Sequence, residues 1–167
     1  MSYPLFQNVF QLAYVTNDID RAAEMFTSRY GVGGFHIMRD TPDADGKIHV
    51  ALGYAGQTNI ELIQPGENGR ALYADWIADA TSFVCRFHHV GLLIDEAADW
   101  DAMRQRVVEN DSAIVMEGEV PDFAAYLYAD TVAELGHYLE YVRLGAHGQA
   151  MFAGVPGFPG FPSAVKG

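Results

Sequence analysis

The sequence predicts an α+β fold made of two β-α-β-β-β modules, and three observations carry that prediction. Short runs alternate apolar and polar residues with the two-residue period of half-buried strands, as in FQLAYVTND at 10 to 18. A helical pattern of 3.6-residue period follows the first such strand in each half of the chain. The two halves also keep register: Gln11 in the first strand recurs as His89 after 78 residues, and Glu61 in the last strand recurs as Glu140 after 79.

In the first module (residues 8–66), Asp18 or Asp20 can cap a helix whose apolar face is Ala22, Ala23 and Phe26. The helix should run to about Tyr30 and stop at GVGG, where glycine supplies the positive φ that ends helices. A strand at 35–40, a turn TPDADG, and strands at 48–56 and 58–65 complete the module. Residues 67–84 read as a linker helix. The second module (85–144) repeats the order with a strand at 87–95, a helix from about Ala97 to Glu109, and strands at 112–120, 123–131 and 136–144. The tail (145–167) mixes Gly and Pro with Phe and should be irregular, yet Met151, Phe152, Phe158 and Phe161 would be costly in water. It is expected to lie against the body or a partner subunit.

Composition narrows the function classes. The 22 acidic and 10 basic side chains give a formal charge of −12, so the long-range field repels phosphate backbones and anionic lipid; neither nucleic acid nor a membrane is an expected partner. The single cysteine, Cys85, excludes an intramolecular disulfide or a thiolate metal cluster within one chain and fits a reducing cytoplasm. Cys85 reads as a small buried apolar residue. The N-terminal MSYPLFQNVFQL has neither a basic leader region nor a long apolar one, so a soluble, unprocessed protein is expected.

Chemistry concentrates on the first and last strands of each module. Gln11, Glu61, His89 and Glu140 occupy the same phase, each flanked by apolar residues along its strand, and alternation turns that phase inward. Two inward carboxylates close together repel strongly unless a cation lies between them, so one divalent metal ion resolves the conflict. Imidazole, carboxylate and amide oxygen suit zinc, nickel, cobalt, manganese or iron. By the same alternation His88 and His137 should point away. His49, Tyr128 and Tyr138 are weaker candidates for lining a substrate pocket, with core packing the competing role; Asp95, Glu96 and Asp99 read as charges at a helix start.

The strand-helix units FQLAYVTNDIDRAAEMF and FHHVGLLIDEAADW, with the strands NIEL and YLEY, resemble the vicinal-oxygen-chelate (VOC) superfamily. That superfamily includes glyoxalase I, methylmalonyl-CoA epimerase, the extradiol dioxygenases and the bleomycin-binding proteins. The resemblance spans about residues 8 to 144. It implies a curved mixed sheet around a metal held by Gln11, Glu61, His89 and Glu140, with His89 rather than His88 at the ligand position. The combination is similar to that of glyoxalase I enzymes with glutamine at the first ligand position. Ring-cleaving dioxygenases use two histidines and one glutamate, and Gln11 stands where one histidine would be. Epimerase relatives carry histidine first and glutamine third, so their match is also incomplete.

The function implied is a metal-dependent, glyoxalase-like lyase or isomerase. A metal chelating two adjacent substrate oxygens stabilises a developing enediolate while a carboxylate moves the neighbouring proton. Glu140 is the first candidate for that base and Glu61 the second. Arginine-bearing stretches that would grip an anionic glutathione are not evident, so an apolar small molecule with vicinal oxygens is the expected substrate. The alternatives are an extradiol-type non-haem iron dioxygenase and a metal-free binding protein of the resistance kind. Family precedent and the Phe-rich tail point to a homodimer.

Overall fold

A computed structural model describes residues 2–162. The chain is α+β, and the β-α-β-β-β order occurs twice. The first set is β1 (Val9–Thr16), α1 (Ile19–Tyr30), β2 (His36–Asp43), β3 (Gly46–Ala55) and β4 (Thr58–Pro65). A short helix α2 (Ala71–Ala74) and a 3-10 turn (Asp75–Ile77) follow. The second set is β5 (Cys85–Leu93), α3 (Ala97–Glu109), β6 (Ile114–Val120), β7 (Ala124–Ala129), a four-residue α4 (Val132–Leu135) and β8 (Tyr138–Leu144). A last helix, α5 (Ala146–Ala153), closes the order. The eight strands form one mixed sheet in the order β2-β3-β4-β1-β5-β8-β7-β6, with β5 and β8 parallel. Among the described residues no helix is long and apolar enough to cross a membrane.

The chain divides into two compact units. One comprises Leu12–His88 with Val155–Pro159; the other, among the described residues, comprises residues 2–11, His89–Gly154 and residues 160–162. Within the first, α1 begins where the Asp18 side chain accepts from the Arg21 amide and ends at Gly31, whose φ of 75° is cheap only without a Cβ. Its inner face (Ile19, Ala22, Ala23, Phe26) packs with Ala51 of β3 and with Ile60 and Leu62 of β4. Gln64 Oε1 accepts from the Ile19 amide, fixing the helix start to β4 at 2.8 Å. The linker is anchored by His88: its Nε2 donates to the Leu72 carbonyl at 3.1 Å, and its ring lies 5.2 Å from that of Tyr73 and 5.1 Å from that of Trp76.

In the second unit, α3 buries Met103 and Val107, and Arg104 forks onto Glu117 of β6 through two 3.1 Å hydrogen bonds. The tail corrects the expectation of irregular chain, since residues 146–153 are helical. Gly148 lets α5 lie close on the Phe123 carbonyl, where a Cβ would clash. Phe152 packs edge-on against Phe10 with ring centroids 5.9 Å apart, and Phe161 packs on Phe152 at 6.3 Å. In the other unit Phe158 covers Tyr54 at 5.7 Å. Phe152, Phe158 and Phe161 thus pack on the chain's own body.

Candidate metal centre

The strand registers place the polar residues. On β7 and β8, Tyr128 is the antiparallel partner of Glu140, and in the parallel β5–β8 pair Glu140 is level with Gly91. Partners in a ladder share a face, so Tyr128, Glu140 and Gly91 form one row across three strands. Gln11 extends the row: a Cβ built on Gly91 would stand 2.8 Å from Gln11 Cβ and 2.9 Å from its Oε1. Glycine at 91 is what lets the Gln11 side chain lie over β5. His89 lies two residues before Gly91 and so on the same face.

This face is dry. His89 is 0% exposed, Gln11 2% and Tyr128 2%, while the Glu140 side chain keeps 12%. His89 Nε2 stands 3.1 Å from Glu140 Oε2. A carboxylate can only accept, so the imidazole donates from Nε2. Tyr128 approaches the same nitrogen, its hydroxyl at 3.5 Å and its ring edge-on with centroids 5.0 Å apart. Glu61, on β4 opposite Leu52 of β3, completes the group. Glu61, His89 and Glu140 each offer one ligand atom, and these atoms lie within 4.8 Å of one another.

The two carboxylates so gathered repel each other in a site that water screens poorly, and a divalent cation is the partner that satisfies both of them together with the imidazole lone pair. The donor set is oxygen and nitrogen without sulfur, which fits first-row divalent ions and argues against a structural thiolate site. The residues present therefore fit a metal.

Other candidates fall as follows. Tyr138 is level with His89 in the β5–β8 ladder and shares Glu140's face by alternation; burial, with the Asp130 charge adding, pushes its hydroxyl pKa up. His49 is not brought to this group. It pairs with Gln64 while Leu52 pairs with Glu61, so it lies on the opposite face of β3, and its Nδ1 accepts from the Asp40 amide at 3.0 Å. His88 turns to the linker, and His137 donates from Nδ1 to the Tyr138 carbonyl at 2.9 Å. Burial raises the Cys85 thiol to about 11, in keeping with an inert side chain. The residue missed from the sequence is Gly91. The signal was present, since a glycine inside a strand pattern marks a close approach.

The arrangement defines a two-module α+β protein with a candidate divalent-metal centre built on its strands. The sequence profile of the Glyoxalase/Bleomycin resistance protein/Dioxygenase superfamily matches residues 10–128, and the chain belongs to that superfamily. Solved structures of similar fold include methylmalonyl-CoA epimerase from Mycobacterium tuberculosis, at 15% identity and a TM-score of 0.64, covering 90% of this chain and 96% of that one. A variant of Streptomyces coelicolor methylmalonyl-CoA epimerase in complex with 2-nitronate-propionyl-CoA is similar at 14% identity and 0.63, covering 84% and 96%. A hypothetical protein from Bacillus halodurans follows at 13% identity and 0.61, covering 81% and 92%. At such identities the likeness is one of fold. No curated protein matches the chain in sequence.

Proposed function

We propose that the chain is a metal-dependent lyase or isomerase that moves a proton on an apolar small molecule carrying two adjacent oxygens. The observation that carries this reading is the convergence of Glu61, His89 and Glu140, whose ligand atoms lie within 4.8 Å of one another. Gln11, in the same row as Glu140, is the proposed fourth ligand. When bound, a divalent ion supplies Lewis-acid polarisation of the vicinal oxygens.

The chain's own carboxylates do the proton work. Glu140 is the first candidate to take the proton from the carbon next to the polarised oxygen and to return that same proton, and Glu61 is the second candidate for this role. Tyr128 and Gln11 are buried on this face, and that burial would limit exchange of the proton with water. The epimerases of similar fold support the proton-transfer class, since an epimerase takes a proton off carbon and puts one back.

Cations are scarce for gripping an anionic substrate. Of ten basic side chains, Arg39, Lys47, Arg70, Arg86, Arg104 and Arg106 are already paired with carboxylates. Arg143 shares β8 with Glu140 but lies at the opposite phase. An uncharged, apolar substrate suits this surface best.

The test is elemental analysis of the purified protein beside His89→Ala and Glu140→Ala. About one zinc, nickel, cobalt or manganese per chain, lost in both variants, is the expected outcome. Iron with oxygen-dependent turnover would replace this reading with an oxygenase, and no metal after reconstitution would leave a binding protein.

A further inference from the structure

Tyr128 is buried to 2% exposure on the face that carries the candidate ligands. Its ring packs edge-on against His89, a contact that phenylalanine would make equally well. The hydroxyl is the distinguishing group, and burying one is costly unless it has polar work to do. Here it is aimed at the His89–Glu140 pair: it stands 3.5 Å from His89 Nε2, while Glu140 Oε2 stands 3.1 Å from the same nitrogen.

That nitrogen can carry one hydrogen, and the carboxylate at the shorter distance takes it. A metal ligand must offer its lone pair, so when His89 binds through Nε2 the neutral ring carries its one hydrogen on Nδ1, and Glu140 loses a donor. The group already directed to the same point is the phenol of Tyr128, whose Cα is the ladder partner of Glu140. Resting on the metal-binding reading above, we infer that Tyr128 is a positioning residue of the centre: its hydroxyl donates to the Glu140 carboxylate and holds it in the orientation that binds metal. Outer partners of this kind fix ligand geometry, and their loss costs about 10- to 100-fold in metal affinity.

The experiment measures Co(II) dissociation constants, the visible Co(II) absorption bands and metal-free melting temperatures for the wild-type chain, Tyr128→Phe and Tyr126→Phe. Tyr126 lies two residues away on β7, its hydroxyl directed over Gly118 of β6, so it controls for loss of any nearby phenol. The expected result is Co(II) binding weakened about tenfold or more in Tyr128→Phe with shifted bands and an unchanged metal-free melting temperature. Tyr126→Phe should match wild type in all three. Equal Co(II) affinity in Tyr128→Phe and wild type overturns the inference. So does a loss that merely tracks a lower metal-free melting temperature, because that is the mark of a packing role, and so does an equal loss in Tyr126→Phe. Failure of the wild-type chain to take up Co(II) would instead sink the metal reading itself, and this inference with it, before any variant is compared.

Discussion

Gly91→Ala is the most direct perturbation of the row that joins Tyr128, Glu140 and Gln11. The added Cβ would meet Gln11 Cβ at 2.8 Å, Gln11 Oε1 at 2.9 Å and Phe10 Cε1 at 3.1 Å. The first contact is decisive, because a Cβ is fixed to its main chain and cannot rotate away as the amide can. Backbone must therefore shift, and overpacking of this kind costs about 1–3 kcal/mol. For a chain of this size each kcal/mol moves the melting temperature by about 2–4 °C, so the metal-free protein should melt about 2–12 °C lower. The displaced Gln11 amide should weaken divalent-metal binding in the same variant. Gly33→Ala is the control, since a Cβ there meets nothing within 4 Å. Circular-dichroism melts and a metal titration read both effects. A Gly91→Ala protein that melts within about 1 °C of wild type and binds metal equally well would refute the reasoning.

Two further outcomes concern buried polar groups. The Tyr141 hydroxyl is buried with no hydrogen-bond partner among the described residues, so Tyr141→Phe should leave the melting temperature unchanged or raise it by up to about 4 °C; a clear fall would show that the hydroxyl is satisfied. Burial raises the Cys85 thiol from 9.0 to about 11, so the folded protein holds that proton more tightly than the unfolded chain. The corresponding stability is fully present below about pH 9 and is lost as pH rises through about 11, and Cys85→Ala should melt with a flatter alkaline limb over that window. Rapid thiol labelling of the native protein at pH 8 would contradict the shift.

Elements with local punctuation were legible in the sequence. Helix α1 starts at an aspartate cap and stops at glycine, and α3 keeps its expected bounds of 97 and 109, as β4 keeps 58 and 65. Where tertiary contact outweighs local signal, the reading failed. Helix α5 is flanked by Gly145 and Gly154 and contains Gly148; the internal glycine argues against a helix, and its compensating approach to Phe123 is invisible in sequence. Helix α4, at four residues, is too short to show a period. The TPDADG segment reads as a turn, yet Thr41, Pro42 and Asp43 extend β2 beyond a register shift after Met38. Proline is tolerated there because β2 is an edge strand. Within the site, alternation was enough to gather His89 and Glu140, because each lies in a strand whose phase the flanking apolar residues reveal. It did not serve for His49, where both faces of β3 bury residues on either side and the phase is ambiguous.

The charge of the chain acts on the proposed metal and on the proposed substrate in opposite senses. A formal charge of −12 raises the local concentration of divalent cations, while two carboxylates beside His89 supply the short-range part of the attraction. The same field slows the approach of any anion, and six basic side chains that could offset it are tied to carboxylates. The proposed substrate therefore gains little from long-range attraction and would draw its affinity from burial of apolar surface and from chelation through its own two oxygens. That requirement explains the company the ligands keep. Tyr128, Tyr138 and Gly91 share their face, and none carries a charge that would compete with a neutral oxygen for the metal.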